Sequence, residues 1–153
     1  MNDTKTPLIF DGHNDLLFRL YEENSRQTAQ SFVTGRSGHI DLAKSQKGGF
    51  AGGFFAIYVP SPDDLGDTMA AMQNPPYDLT LPDLMTHHEA LPIALHQAAL
   101  LFELEKTNTL KICTSTAQIQ NCLDNNIIAA VMHMEGAEAI DEDLYALDVF
   151  YKA

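Results

Sequence analysis

Basic residues are scarce in this 153-residue chain: nine Lys and Arg stand against 21 Asp and Glu, a net charge of −12. Nucleic-acid affinity rests on clustered Lys and Arg that neutralise phosphates, so an extended phosphate-binding surface is excluded. The same deficit argues against docking on anionic membranes. Long apolar runs are missing too. A spanning helix needs ~18 or more unbroken apolar residues, and the run Ile127–Met132 stops at six. The opening MNDTKTPLIFDGHND has no basic stretch followed by an apolar one, so no secretory signal is read there. Cysteine is limited to Cys113 and Cys122, which form neither a CxxC motif nor a disulfide-dense scaffold. The expectation is a reduced, cytoplasmic chain with no membrane and no nucleic-acid partner. With 45% apolar and 20% charged residues, the composition suits a single globular domain.

Strands and helices alternate along the chain. Residues 7–11 (PLIFD) predict a buried strand that breaks at Gly12. Residues 21–47 are polar, lack a sustained period, and predict mostly loop with one helical turn. After glycines 48, 49, 52 and 53, the segment Phe54–Val59 predicts a strand apolar on both faces, ended by Pro60. Such strands belong to parallel sheets covered by helices. Residues 60–83 hold five of the seven prolines and predict a long loop, of the kind that serves as a lid or binding segment. Leu91, Leu95, Ala98, Leu101 and Phe102 recur at helical spacing and predict a helix over about 84–106. Ser115 and Gln118 form a capping box ahead of a second helix, which Asn125-Asn126 ends. Residues 127–134 predict a third strand closed by Glu135-Gly136, and Asp141 caps a last helix bearing Leu144, Leu147 and Tyr151. This alternation predicts an α/β fold with a parallel sheet.

Chemistry concentrates at two strand ends. In Asp11-Gly12-His13-Asn14-Asp15, the period of two lets His13 and Asp15 project to one side. An imidazole nitrogen and a carboxylate oxygen together suit Zn²⁺, Mn²⁺ or Fe²⁺. A lone HxD is more often a loop histidine hydrogen-bonded by its neighbouring aspartate. At the third strand's end, Glu135 closes an apolar run and must be solvated, hydrogen-bonded or metal-bound, since burying it unpaired is costly. An exposed loop glutamate accounts for it equally well. Catalytic groups of α/β barrels come from the C-terminal ends of several strands, so the two strand ends reinforce each other. His133 shares the parity of Glu135 and is expected one layer deeper, packed rather than ligating. His87, His88 and His96 lack the HExxH spacing and read as a solvated helix face. The spacing around His39 decides nothing. Gly48–Gly53 lacks the spacing of a phosphate cradle.

The segments FDGHNDLL, GHIDL, GGFAGGFFAIYVP and HMEGAEAID, in this order, resemble the N-terminal part of the membrane dipeptidase (renal dipeptidase) family. The resemblance runs from about Pro7 to the last residue. It implies a (β/α)8 TIM-type barrel of the amidohydrolase kind, of which about three βα units are present, so that residues 1–153 form an incomplete barrel domain. It implies two Zn²⁺ per complete active site, dipeptide substrates, and hydrolysis of the peptide bond by a metal-bridging hydroxide. His13 and Asp15 would hold one zinc, and Glu135 would bridge both, as a shared anion between two cations ~3.5–4 Å apart. Glu135 is also the catalytic residue on this carry-over. The family's two further zinc histidines, its substrate-contacting histidine and its late aspartate fall beyond the third barrel strand. A full barrel needs ~250 residues, so the second metal would have one ligand, Glu135, instead of three. The alternative is a catalytically inert fragment with at most one weak metal site. Other amidohydrolases, such as deaminases and lactonases, commonly open with HxH, and Asp15 disfavours them. Dimers are common in the family, which leaves a homodimer open.

Overall fold

The computed structural model describes residues 7–24, 28–62 and 70–153. Residues 63–69 of the expected lid loop, and the first six residues of the stretch read for a signal, lie outside the described residues. Strand β1 (Ile9–Asn14) leads through helices α1 (Leu16–Glu22), α2 (Thr28–Thr34) and α3 (Leu42–Gly48) to strand β2 (Phe50–Ile57). Helix α4 (His87–Glu105), strand β3 (Leu110–Ile112), helix α5 (Thr116–Asp124), strand β4 (Ile128–Met134) and helix α6 (Tyr145–Lys152) follow. All strand pairs are parallel, in the order β1-β2-β4-β3. This is the expected α/β architecture, an open sheet with crossover helices, not closed into a barrel. Two compact units are present. One, within Met1–Tyr58 and Leu95–Glu135, carries the whole sheet, and the other lies within Val59–Ala94 and Gly136–Ala153.

The sheet-bearing unit is held by one layer of apolar side chains. Phe55 and Ile57 on β2 are buried, as are Leu16, Leu17 and Leu20 of α1, which packs on that strand. Leu101 and Leu104 of α4, with Ile128 and Ala130 of β4, are buried in the same unit. Each fully buried Leu, Ile or Phe contributes about 1.5–3 kcal/mol relative to exposure. The opposite face of the sheet is only partly covered. Phe10 and Phe54 keep 39% and 38% of their surface exposed and meet edge to face, with ring centres 5.9 Å apart. Burial on both faces, expected for the second strand, holds except at Phe54: Phe55 and Ile57 are buried on one face and Ala56 on the other.

Several boundaries differ from the sequence expectation. The first strand runs on to Asn14, so His13 is part of it instead of following it. The second strand starts at Phe50 and includes Gly52 and Gly53. A Cβ on Gly52 would collide with the Ala129 carbonyl and stand 2.9 Å from the Ala129 Cβ, and one on Gly53 would stand 2.8 Å from the Asp11 Cβ. These glycines let β2 lie close between β1 and β4. The expected loop over 21–47 contains α2 and α3. Each is seven residues long, too short to show a period. The signal for α3 is in its caps: the Asp41 carboxylate accepts from the Lys44 N–H, and Gly49 closes the helix at φ 74°. Strand β3, three residues long, was not expected at all. It pairs with Ile128–Ala130, and Glu105 accepts from both the Lys111 ammonium and the Ile112 N–H.

The helix caps follow the sequence more closely. Ser115 accepts from the Gln118 N–H at 3.3 Å and Gln118 reaches back to the Thr114 N–H at 2.7 Å. Asp141 accepts from the Tyr145 and Ala146 N–H groups and so caps α6 from outside the helix. That helix buries Phe150, while Leu144, Leu147 and Tyr151 are exposed. Helix α4 begins at His87, three residues later than expected, where Thr86 and Glu89 form a reciprocal cap.

Candidate metal centre

The C-terminal ends of β1 and β4 bring His13, Asp15 and Glu135 together. One ligand atom from each lies within 4.8 Å of the others. His13 Nε2 is 3.1 Å from Asp15 Oδ1 and 3.7 Å from Glu135 Oε2. All three side chains are solvent-accessible, at 43%, 55% and 38% exposure. They line or border an open cleft: a space of about 810 Å³ is walled by His13 and Asp15 together with Arg19, Arg36 and His39.

Local structure explains the convergence. Asn14, between the two donors, points the other way and is buried. Its amide nitrogen donates to the Phe54 carbonyl at 3.1 Å and to Asp11 Oδ2 at 3.2 Å, and its oxygen accepts from the Leu16 N–H at 3.3 Å. One side chain thus ties β1 to β2 and to the start of α1, and its neighbours at 13 and 15 are left facing the opposite side. Glu135 is set by its own backbone N–H, which donates to the Ile57 carbonyl at 3.2 Å and extends the β2–β4 pairing by one step. His133 lies one layer below, edge-on to His13 with ring centres 5.9 Å apart and to Phe54 at 5.8 Å. Among the described residues, His87, His88, His96 and His39 belong to no metal-competent cluster. Asn14 is the residue that sequence reasoning passed over. Its only signal is a polar side chain at the buried parity of a strand end.

The donor set fits a divalent cation. Asp15 occupies the N-cap position of α1, where an aspartate usually accepts a backbone N–H, yet its side chain makes no such bond. Its carboxylate faces His13 instead. A single imidazole nitrogen stands between two carboxylate oxygens, and one N–H cannot serve both. Zinc ligand bonds of about 2.0–2.2 Å at tetrahedral angles put neighbouring donors about 3.4 Å apart. The observed 3.1 and 3.7 Å bracket that value.

The chain is similar to known metallopeptidases along nearly its whole length. A sequence model of the membrane dipeptidase family, peptidase family M19, matches residues 4–153. A curated Acinetobacter calcoaceticus protein, named "Uncharacterized protein in PQQ-III 3'region", is 38% identical over 146 residues, covering 94% of this chain and 45% of the relative. Two crystal structures superpose with a TM-score of 0.88. One is a metallo peptidase from Rhodobacter sphaeroides liganded with a phosphinate mimic of the dipeptide L-Ala-D-Ala, 41% identical, covering 97% of this chain and 43% of that one. The other is the dipeptidase AC, a metallo peptidase of family M19, 42% identical, covering 97% and 42%. The chain thus spans less than half the length of these relatives. A match over nearly every residue, with the fold shared at that identity, means that the chain belongs to the membrane dipeptidase family, peptidase family M19.

Proposed function

We propose that this chain is the N-terminal part of a zinc-dependent dipeptidase, with His13, Asp15 and Glu135 as its share of the metal centre. The observation that carries this reading is the convergence of those three donors, from strands 120 residues apart in sequence, within 4.8 Å. His13 and Asp15 would hold one zinc, and Glu135 would supply the anion shared by two. Bound zinc lowers the pKa of water and polarises a carbonyl, which is the chemistry that peptide hydrolysis needs. The protein's own groups orient the reactants: Asn14 fixes the direction of His13 and Asp15, and the cleft beside them gives a dipeptide access. The proposed substrates are dipeptides, a reading supported by the Rhodobacter sphaeroides neighbour, which is liganded with a dipeptide mimic.

A second reading is favoured by the share of the relatives that the chain spans, 42–45% of their length. On that reading the 153-residue chain alone holds one metal weakly and turns over little substrate, and activity belongs to the complete barrel. Both readings are tested by titrating zinc into the purified chain and assaying L-Ala-D-Ala and L-Ala-L-Ala hydrolysis. The expected result is at most one zinc, lost in His13→Ala and Asp15→Ala, with negligible turnover. Unchanged zinc binding in both variants would remove the assignment, and robust turnover by the isolated chain would remove the claim that its site is incomplete.

A further inference from the structure

Away from the metal centre, the chain buries two thiols against each other. Cys113 continues β3, its N–H donating to the Ala130 carbonyl at 2.8 Å, and Cys122 lies on α5. Both are free and buried, 2% and 1% exposed, in an apolar cluster with Ala129, Ile119 and Ile127. Their sulfur atoms are 3.6 Å apart. A disulfide needs about 2.05 Å between sulfurs, so about 1.5 Å of approach closes the gap. Helix α5 is otherwise lightly anchored: Cys122 is its one fully buried side chain, and most of its remaining residues are exposed.

We propose that Cys113 and Cys122 are an oxidisable dithiol which a small peroxide closes into an intramolecular disulfide, fastening α5 to the end of β3. The oxidant is hydrogen peroxide, small enough to reach a buried sulfur when α5 opens locally. One thiolate attacks the peroxide O–O bond and becomes a sulfenic acid, releasing one water. The second thiol then attacks that sulfur, and its proton leaves with the hydroxyl group as a second water. The dithiol loses two electrons and two protons, and the peroxide is reduced. Burial, together with the contact from Cys122, pushes the Cys113 thiol up to about 12. Cys113 therefore keeps its proton, as the resolving thiol does until the second step. The same burial makes the pair slow to react at neutral pH and faster as pH rises.

The test treats the purified chain with hydrogen peroxide under native conditions, then blocks remaining thiols and maps peptides without reduction. The expected product is lighter by two hydrogen atoms, resists blocking at both cysteines, and links the peptides containing residues 113 and 122. Dithiothreitol should restore it. Backbone amides of 116–124 should exchange more slowly in the oxidised form. Oxygen adducts on single cysteines without a link, links between chains, or thiols still open to blocking after methionines have oxidised would each overturn the proposal. Cys113→Ser should stop at an oxygen adduct on Cys122. Should that variant not fold, peptide mapping of the unaltered chain decides alone.

Discussion

Asn14 has more influence on the candidate metal centre than its absence from the donor set suggests. Its three hydrogen bonds set which way His13 and Asp15 face. Replacing it by Ala leaves the Phe54 carbonyl and the Leu16 N–H short of a partner, at about 1–3 kcal/mol. Zinc affinity should fall with it by about 10–100-fold, the usual cost of losing a group that orients ligands. Calorimetric zinc titration of Asn14→Ala would show this, and an unchanged Kd would mean that the strand end holds its shape unaided. Asp41 is the other polar residue that organises its surroundings. The Lys44 ammonium and the Lys44 N–H hold its carboxyl down at about 2, against an ordinary value of 3.8. A depressed folded-state pKa means the unfolded chain takes up the proton first, so the contribution is complete above about pH 4 and disappears as pH falls toward 2. Urea midpoints measured across that window should drop less steeply for Asp41→Asn, which keeps a capping oxygen without the charge. Equal slopes would clear Asp41 of any role in acid sensitivity.

At the level of elements, the ends of the strands are held by side chains rather than by longer ladders. Gln97 on α4 is fully buried and brackets the residue just past β2, accepting from the Tyr58 N–H at 3.0 Å and donating to the Tyr58 carbonyl. Gln97→Leu conserves much of the volume but removes both bonds to the part-buried Tyr58 peptide, a loss of about 1–3 kcal/mol. Chemical denaturation should register it as a lowered midpoint with an unchanged m value, and wild-type stability would show that water takes over both bonds. The long helix α4 was expected from its apolar spacing and α5 from its capping box, but Leu95 and Phe102 of that spacing are exposed, and Ala90, Ala94, Gln97 and Leu104 are buried. Helices α2 and α3 were not expected, because seven residues carry too little pattern to outweigh a polar composition. Strand β3 escaped for a similar reason: three residues acquire strand geometry only by pairing with Ile128–Ala130.

For the molecule as a whole, the sheet is open, and the face bearing Phe10 and Phe54 is incompletely covered. Leu8 and Ile9 add to this apolar area at the β1 edge, with 58% and 50% exposure. Unpaired strand edges beside exposed apolar side chains favour association. Sedimentation velocity of the isolated chain should show concentration-dependent oligomers, and a strictly monomeric chain at high concentration would contradict this.

The amino-acid order was enough to specify the parallel α/β class and to single out the two strand ends bearing His13, Asp15 and Glu135 as candidates. Local pattern suffices there, because alternation and capping act over a few residues. Whether those side chains meet depended on strand register, on two glycines that admit close neighbours, and on a buried asparagine joining three segments. Distances between residues remote in sequence follow from packing, and packing exists only once the chain has folded.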